Sequence, residues 1–121
     1  MIRGVRGATT VLQNTEEEIT LATEKVVSEM VKANDIKPED ISHIFFSVTA
    51  DLNASFPAKG IRELDGWTYV PVMCMQEIDV PNSLDFCIRV MMTINTSKSQ
   101  KEIEHIFQNE AIKLRPDLTE E

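Results

Sequence analysis

Residues 87–96, Cys-Ile-Arg-Val-Met-Met-Thr-Ile-Asn-Thr, are the stretch that decides the fold. Every second residue is apolar, which is the period of a β-strand with one buried face. The residues of that buried face are Ile88, Val90, Met92 and Ile94. Arg89 lies on the opposite face, where a guanidinium in mid-strand is costly unless it meets a partner or a ligand. The stretch therefore predicts a sheet with one core face and one face that carries charge.

The clearest helix lies upstream, over residues 15–33. Thr15 and Glu18 have the spacing of a capping box, and apolar residues then recur at helical intervals. Asn34 can end this helix, and Pro38 prevents its continuation. We expect its many acidic residues to form a solvated face.

The remaining segments predict four more strands and one short helix. In chain order they are a strand over 2–11, a strand over 44–50, a helix over 57–64 that ends near Gly66, an edge or irregular strand over 67–74 that Pro71 interrupts, and a strand pair within 104–114 with a turn at 108–109. The last segment is ambiguous between helix and strand.

The order β-α-β-α-β-β-β predicts an α+β fold with one five-stranded sheet. We expect a single domain over residues 1–121, with 119–121 as a frayed tail. One long helix covers one face of a sheet, and nothing else in the chain can cover the other apolar face. Because domains bury such faces by packing layers, we expect a homo-oligomer.

Composition excludes several classes of function. The chain has 121 residues and a net charge of −8, which argues against a nucleic-acid or anionic-membrane surface. Taken alone, this charge also argues against an anionic substrate. Two cysteines 13 residues apart and two isolated histidines predict neither a disulfide framework nor a metal site. Residues 1–10 do not resemble a signal peptide, and no apolar run spans a membrane, so we expect a cytoplasmic protein.

Three groups of residues could carry chemistry. Arg6 and Arg89 could clamp a carboxylate, although from periodicity alone an exposed strand face or an ion pair is the more usual explanation. Cys74 and Glu77 could point at one small polar group, or they could be a buried thiol and an exposed acid. Residues 56–59 open a helix and could receive an anion, or they could be an ordinary cap. Since no phosphate loop or nucleophile motif is present, electrostatic catalysis or plain anion binding fits best.

Four blocks of the sequence carry a resemblance to a known family. They are MIRGVRGATT (1–10), ADLNASFPAKGIRELDGWTYVPVMCMQEIDV (50–80), CIRVMMTINT (87–96) and LRPDL (114–118). The chain resembles the small, monofunctional chorismate mutases of the trimeric class. This resemblance implies conversion of the dianion chorismate to prephenate without a cofactor. It also implies a mixed five-stranded sheet on one long helix plus a short helix, and a homotrimer that forms a pseudo-α/β barrel with active sites at the subunit interfaces.

The resemblance also implies roles for individual residues. Arg89 matches the arginine at the ether oxygen of the breaking bond, and Arg6 matches the arginine that holds a carboxylate. Glu77 and Cys74 match the pair that contacts the ring hydroxyl. The remaining expected binding residues are Phe56, Ala58, Lys59 and Arg62 across an interface, Val72 and Met73 in the wall, Phe107 in the pocket, and Leu114 and Arg115 in a segment that covers the site.

Two positions depart from the family pattern. Phe107 stands where a tyrosine is common, and Met73 stands where a threonine is common. Each change removes a hydroxyl, which predicts several-fold weaker binding with the reaction intact.

Two other interpretations of the function are a non-catalytic trimeric module that senses a small anion, and a reactive-intermediate deaminase, which the quoted blocks do not resemble.

Overall fold

The computed structural model describes residues 1–114, which contain five strands, one α-helix and four short 3₁₀ helices. The strands and the α-helix are β1 (Ile2–Thr10), α1 (Glu16–Asn34), β2 (Ile41–Val48), β3 (Val72–Gln76), β4 (Cys87–Asn95) and β5 (Ile106–Phe107). The 3₁₀ helices are Pro38–Asp40, Pro57–Gly60, Gln100–Glu102 and Asn109–Leu114. Within residues 1–114, no helix has both the length and the hydropathy that a membrane crossing needs.

The strands form one mixed sheet in the order β3-β2-β4-β1-β5. β4 is antiparallel to both of its neighbours, β1 and β2, whereas the outer strands β3 and β5 run parallel to β2 and β1. This confirms the α+β class with a mixed five-stranded sheet. It also confirms that the strand near Pro71 lies at an edge, where proline is tolerated.

The core lies between α1 and one face of the sheet. The four alternate residues of β4 that the sequence assigns to the buried face are each at most 3% exposed. From the helix side, Val26, Val27 and Met30 are fully buried against them. Gly7 on β1 allows this close approach, since a Cβ there would lie 2.3 Å from Sδ of Met30.

Both ends of α1 differ in detail from the prediction. The Glu18 amide donates to Oγ1 of Thr15 at 3.2 Å, as a capping box requires. The Glu18 carboxylate, however, accepts from the amides of Leu12 and Gln13, so only half of the box forms. At the other end Asp35, in the left-handed region with φ 57°, caps the helix. Asn34 is the last residue of α1, but it is not the cap, because its buried side chain bonds to the backbone of Glu104 instead.

β2 begins three residues before the predicted strand and ends at Val48. It extends backwards because Ile41 pairs with Ile94 of β4 across a bulge. It ends because the chain turns to bind the start of β4, where the Cys87 amide donates to Oγ1 of Thr49 at 3.0 Å. Sequence alternation cannot reveal either contact.

The predicted helix over 57–64 is wrong beyond its first turn. Pro57–Gly60 is a 3₁₀ helix, and the following residues form successive turns in which every third amide, from Ile61 to Val70, bonds to the carbonyl three residues back. The predicted strand over 67–74 is displaced for the same reason, since the Trp67 and Val70 amides are used within these turns. β3 therefore starts after Pro71 and runs unbroken from Val72 to Gln76.

The strand pair predicted within 104–114 is half correct. β5 is a strand of two residues, and Asn109, with φ 55°, makes the expected turn. The segment Asn109–Leu114 then forms a 3₁₀ helix rather than a strand. It does so because the end of β1 holds its start, with the Glu110 amide donating to Oγ1 of Thr10 at 3.2 Å.

The face of the sheet opposite α1 is uncovered in residues 1–114, as the sequence predicts. Four large apolar side chains on this open face are between 39% and 59% exposed. They are Phe45, Met73, Met75 and Met91. The arginines of β1 and β4 lie among them.

Candidate active site

A row of paired residues crosses the open face of the sheet. Its members, from β3 to β5, are Met75, Ser47, Arg89, Ala8 and Phe107. Paired residues of neighbouring strands point to the same face, so these side chains share one surface. This register, which links five separate segments, builds the site.

Arg6 joins Arg89 on this surface from the neighbouring row. Arg6 pairs with Met91, so it is diagonal to Arg89, and such residues are roughly 7–8 Å apart. The Arg6 side chain is half-buried, whereas that of Arg89 is 45% exposed. Two arginines on neighbouring strand positions of one face can bind two anionic groups of one small ligand.

Glu77 follows β3 directly and meets Arg89 beside the row. The backbone N–H of Glu77 donates to the carbonyl of Val48 at 2.8 Å, which ties it to β2. Its Oε2 lies 3.3 Å from Nε of Arg89 and accepts from the hydroxyl of Ser47 at 2.7 Å. The ion-pair interpretation and the open-face interpretation of Arg89 are therefore both correct.

A cleft of about 600 Å³ opens at this position. Five of the residues that line it are expected binding residues, namely Arg6, Glu77, Arg89, Phe107 and Leu114. Much of the remaining wall is apolar and includes Phe45, Met75 and Met91. We call the five expected binding residues in this cleft the cleft group. An apolar cleft with a few convergent charges is suited to a small, partly apolar anion.

The other expected residues form a second set near the free edge of β3, which we call the edge group. Phe56, Ala58, Arg62, Val72 and Cys74 line a separate cavity of about 610 Å³. Lys59 completes the group and lines a neighbouring cavity with Phe56 and Cys74. Met73 points the other way, onto the open face, because it pairs with Phe45. Arg115 lies outside the described residues.

Cys74 and Glu77 therefore do not meet within one chain. Cys74 pairs with the buried Phe46, so its thiol lies on the helix side of the sheet. Glu77 lies with Arg89 on the open face. The cleft group and the edge group occupy different surfaces of the same chain.

Lys59 of the edge group is held by the first turn of α1. Its Nζ lies 2.9 Å from Oε2 of Glu16, and both side chains are about half exposed. The hydrogen bond from Lys59, followed by its charge and by Ser55, lowers the pKa of Glu16. This contact joins the start of the helix to the 3₁₀ helix Pro57–Gly60.

The Cys87 thiol and the two imidazole groups are held in contacts of the fold rather than paired as a nucleophile and its base. Burial raises the pKa of the Cys87 thiol, so this cysteine is protonated at neutral pH. Nδ1 of His105 accepts from the Arg6 amide at 2.9 Å, and His43 contacts the ring of Phe45. Among residues 1–114, no three His, Cys, Asp or Glu side chains are grouped to hold a metal ion. The charged side chains that line the described cleft are those of Arg6, Glu77 and Arg89.

Ser47 is the site residue that sequence reasoning missed. Alternation along β2 already assigns it to the face opposite Ile44 and Phe46, which is a usable signal. That signal became specific only with the register, which sets Ser47 between Arg89 and Met75.

The chain also matches a known family in sequence. Residues 2–118 match the sequence model of the family described as chorismate mutase type I. The chain is 52% identical over 119 residues to the chorismate mutase AroH of Bacillus subtilis (strain 168), covering 98% of this chain and 94% of that protein. It is 41% identical over 119 residues to the AroH of Thermus thermophilus, with coverage of 98% and 97%.

A solved structure gives the same result at the level of the fold. The chorismate mutase from Clostridium thermocellum superposes with a TM-score of 0.88 at 50% identity, over 90% of this chain and 96% of that one. The sequence match extends over nearly the whole chain, and the fold match covers 90% of it. The chain belongs to the chorismate mutase type I family.

Proposed function

We propose that this protein converts chorismate to prephenate by a Claisen rearrangement within one bound substrate molecule. Membership of the family supports the reaction. The observation that carries the assignment to the cleft is the pair of arginines on one open sheet face beside an apolar wall. Chorismate is a dianion with an apolar ring, so it requires both kinds of surface.

The proposed mechanism uses position and charge, because the rearrangement is unimolecular and needs no nucleophile. The walls of the cleft select the compact conformer in which the bond-forming carbons lie together. Arg89 donates to the ether oxygen, where negative charge grows as the bond breaks, and Arg6 holds a carboxylate. Glu77 and Cys74 receive the ring hydroxyl.

The energies require both effects. A millionfold acceleration corresponds to roughly 8 kcal/mol. One donor aimed at a developing oxyanion contributes about 3–4 kcal/mol. Arg89 alone is therefore insufficient, and selection of the reactive conformer supplies much of the remainder.

We propose further that the complete site forms between subunits of a homotrimer, with the sheets facing inward as a pseudo-α/β barrel. The exposed apolar side chains of the open face support this proposal, since contact of a large apolar patch with water is unfavourable. The separation of the cleft group from the edge group also supports it, because one chain cannot bring Cys74 to Glu77. A monomeric mass in light scattering at micromolar concentration would contradict the proposal.

Phe107 and Met73 adjust binding in this scheme. Each lacks a hydroxyl, and a lost hydrogen bond costs about 0.5–1.5 kcal/mol, or more to a charged partner. The expected result is a several-fold weaker affinity for chorismate with an unaltered reaction.

A cytoplasmic location stays a prediction.

The direct experiment follows the ultraviolet absorbance of chorismate in the presence of the purified protein. Loss of chorismate with matching formation of prephenate is the expected result. Binding of chorismate without its loss would instead indicate a sensor module, and neither binding nor loss would reject the assignment.

A further inference from the structure

We propose that Ser47 is a positioning residue for Glu77. Its hydroxyl donates to Oε2 of Glu77 at 2.7 Å and holds this carboxylate beside Arg89. The inference rests on the proposed function, in which Glu77 receives the ring hydroxyl and Arg89 the ether oxygen. It adds a residue that does not touch the reacting atoms but fixes one that does.

The register gives Ser47 a fixed position. On β2 it pairs with Arg89 of β4 on one side and with Met75 of β3 on the other. Because β2 is an interior strand, both of its backbone edges are used in the sheet, and the serine backbone cannot shift independently. Its hydroxyl is thus presented between the arginine and the strand that leads into Glu77.

Glu77 needs such a partner because its own side chain is flexible. Its amide is anchored to the carbonyl of Val48, but three rotatable bonds separate the backbone from the carboxylate. The side chain is 25% exposed, so packing alone does not select one rotamer. A hydrogen bond to an ionised carboxylate is of the strong, charge-assisted kind and can make that selection.

The contact also limits how far Glu77 engages Arg89. Both the serine hydroxyl and Nε of Arg89 act on Oε2, which leaves Oε1 outside these two contacts. Without Ser47, a carboxylate beside a guanidinium tends towards the bidentate arrangement, in which both of its oxygens are bonded. That arrangement would occupy the guanidinium donors that the ether oxygen needs. Ser47 therefore keeps both Glu77 and Arg89 available to the substrate.

Partial exposure argues against a purely structural role for the hydroxyl. Ser47 is neither fully buried nor part of the apolar core, so water could satisfy its hydroxyl in the absence of Glu77. Removing it should leave stability nearly unchanged while altering the geometry of the site.

The test compares two substitutions at this position in the chorismate assay. Ser47→Ala removes the donor and should lower kcat/KM about tenfold. Ser47→Thr keeps a hydroxyl on a residue that strands favour, and it should restore most of the loss. The matched control is Ser42→Ala, because Ser42 lies on the same strand but its hydroxyl contacts the ring of His43. This control should keep wild-type activity.

A double-mutant cycle separates positioning from general damage. In a Glu77→Ala background, Ser47→Ala should cause no further loss, because the group that it positions is absent. Three results would each overturn the inference. The first is an equal loss of activity in both backgrounds, and the second is a loss in Ser47→Thr as large as in Ser47→Ala. The third is wild-type activity in Ser47→Ala. If Ser47→Ala fails to fold, Ser47→Cys replaces it as the weak-donor variant, with the same expected loss and the same criteria.

The same measurements distinguish this inference from the proposed function. A wild-type protein that does not consume chorismate rejects the function, and the inference falls with it. A wild-type protein that is active, with Ser47→Ala equally active, rejects the inference alone.

Discussion

Arg89 is the residue on which the proposed chemistry depends most directly. Its guanidinium is 45% exposed on the open face, and its Nε is paired with Glu77 at 3.3 Å. The remaining nitrogens of the group are the donors that we assign to the ether oxygen. An alanine at this position removes both the positive charge and the geometry that places it.

Arg89→Ala should therefore lower kcat by at least about a thousandfold, because it removes the donor from the developing negative charge. Cys74→Ala should lose much less, since a thiol is a weak hydrogen-bonding group. The matched control is Arg3→Ala, whose Nε donates to the carbonyl of Lys98 away from the cleft. Steady-state kinetics on chorismate measure all three. Near-wild-type turnover in Arg89→Ala would refute the assigned role.

Cys87, two residues before Arg89, should be an inert thiol. Burial raises its pKa, so the folded state holds the proton more tightly than the unfolded state. The stability that this provides is complete below the pKa of the unfolded thiol and is lost as the pH rises through the higher folded value.

In a Cys74→Ala variant, iodoacetamide at pH 8 should therefore alkylate Cys87 at least about tenfold more slowly in the folded protein than in guanidinium chloride. Mass spectrometry over a time course gives both rates. Similar rates in the two states would mean that the thiol is accessible and ionised.

At the scale of elements, the contact between α1 and the 3₁₀ helix Pro57–Gly60 sets the position of the edge group. Gly60 lies against the backbone of the helix, so that a Cβ there would lie 2.4 Å from the carbonyl oxygen of Thr20. A helix backbone cannot give way as a flexible side chain can. This close approach brings Lys59 within reach of Glu16.

Gly60→Ala should destabilise the protein by about 1–3 kcal/mol, the usual cost of overpacking, and should also reduce activity by displacing Lys59. Gly4→Ala is the control, because its nearest obstacle is the flexible Sδ of Met91 at 3.3 Å. That control should stay within about 0.5 kcal/mol of wild type. Urea unfolding at one fixed protein concentration measures both variants, and equal stabilities would show that the helix moves aside.

The elements that sequence analysis predicted well are those whose pattern is local. β4 and α1 each repeat one period over many residues, so the buried faces of both follow from spacing alone. The elements that it predicted poorly depend on contacts between distant segments. The approach to β5 depends on Asn34 at the end of α1, which bonds to Glu104 seventy residues away.

The residues of the candidate site were likewise predictable only where the signal is local. Spacing indicated Arg89 as an unusual strand residue, and the family resemblance added an expected role for Glu77. Neither could reveal the pairing of Ser47 with Arg89. The register of two strands that are about forty residues apart cannot be inferred from the sequence of either strand alone. The separation of Cys74 from Glu77 also became visible only with the position of β3.

At the scale of the whole molecule, the net charge describes the outer surface and not the cleft. The chain carries −8 overall, and the glutamates in the first turn of α1 contribute to it. The open face instead presents Arg6 and Arg89 with Glu77 as the acid that lines their cleft. A charge summed over 121 residues is therefore a poor guide to the ligand of one cleft, although it still argues against nucleic acid.

A shared site has a consequence that no single chain can produce. If the cleft group of one subunit works with the edge group of its neighbour, two inactive variants can complement each other. Arg89→Ala disables the cleft group, whereas the double variant Lys59→Ala with Arg62→Ala disables the edge group. Each homotrimer alone should be nearly inactive, because every one of its sites contains a defect.

Coexpression of the two variants at equal levels should restore activity to about one quarter of the wild-type value per chain. In a randomly mixed trimer, each interface has an even chance of an intact cleft group and an independent even chance of an intact edge group, so about one site in four is complete. Light scattering should first give about 41 kDa, three times the 13.7 kDa chain. Mixing the two proteins after separate assembly is the control, which should restore activity only as subunits exchange. Activity no higher than that of the two parents after coexpression would show that each site is built within one chain, because every chain in the mixture carries one defect.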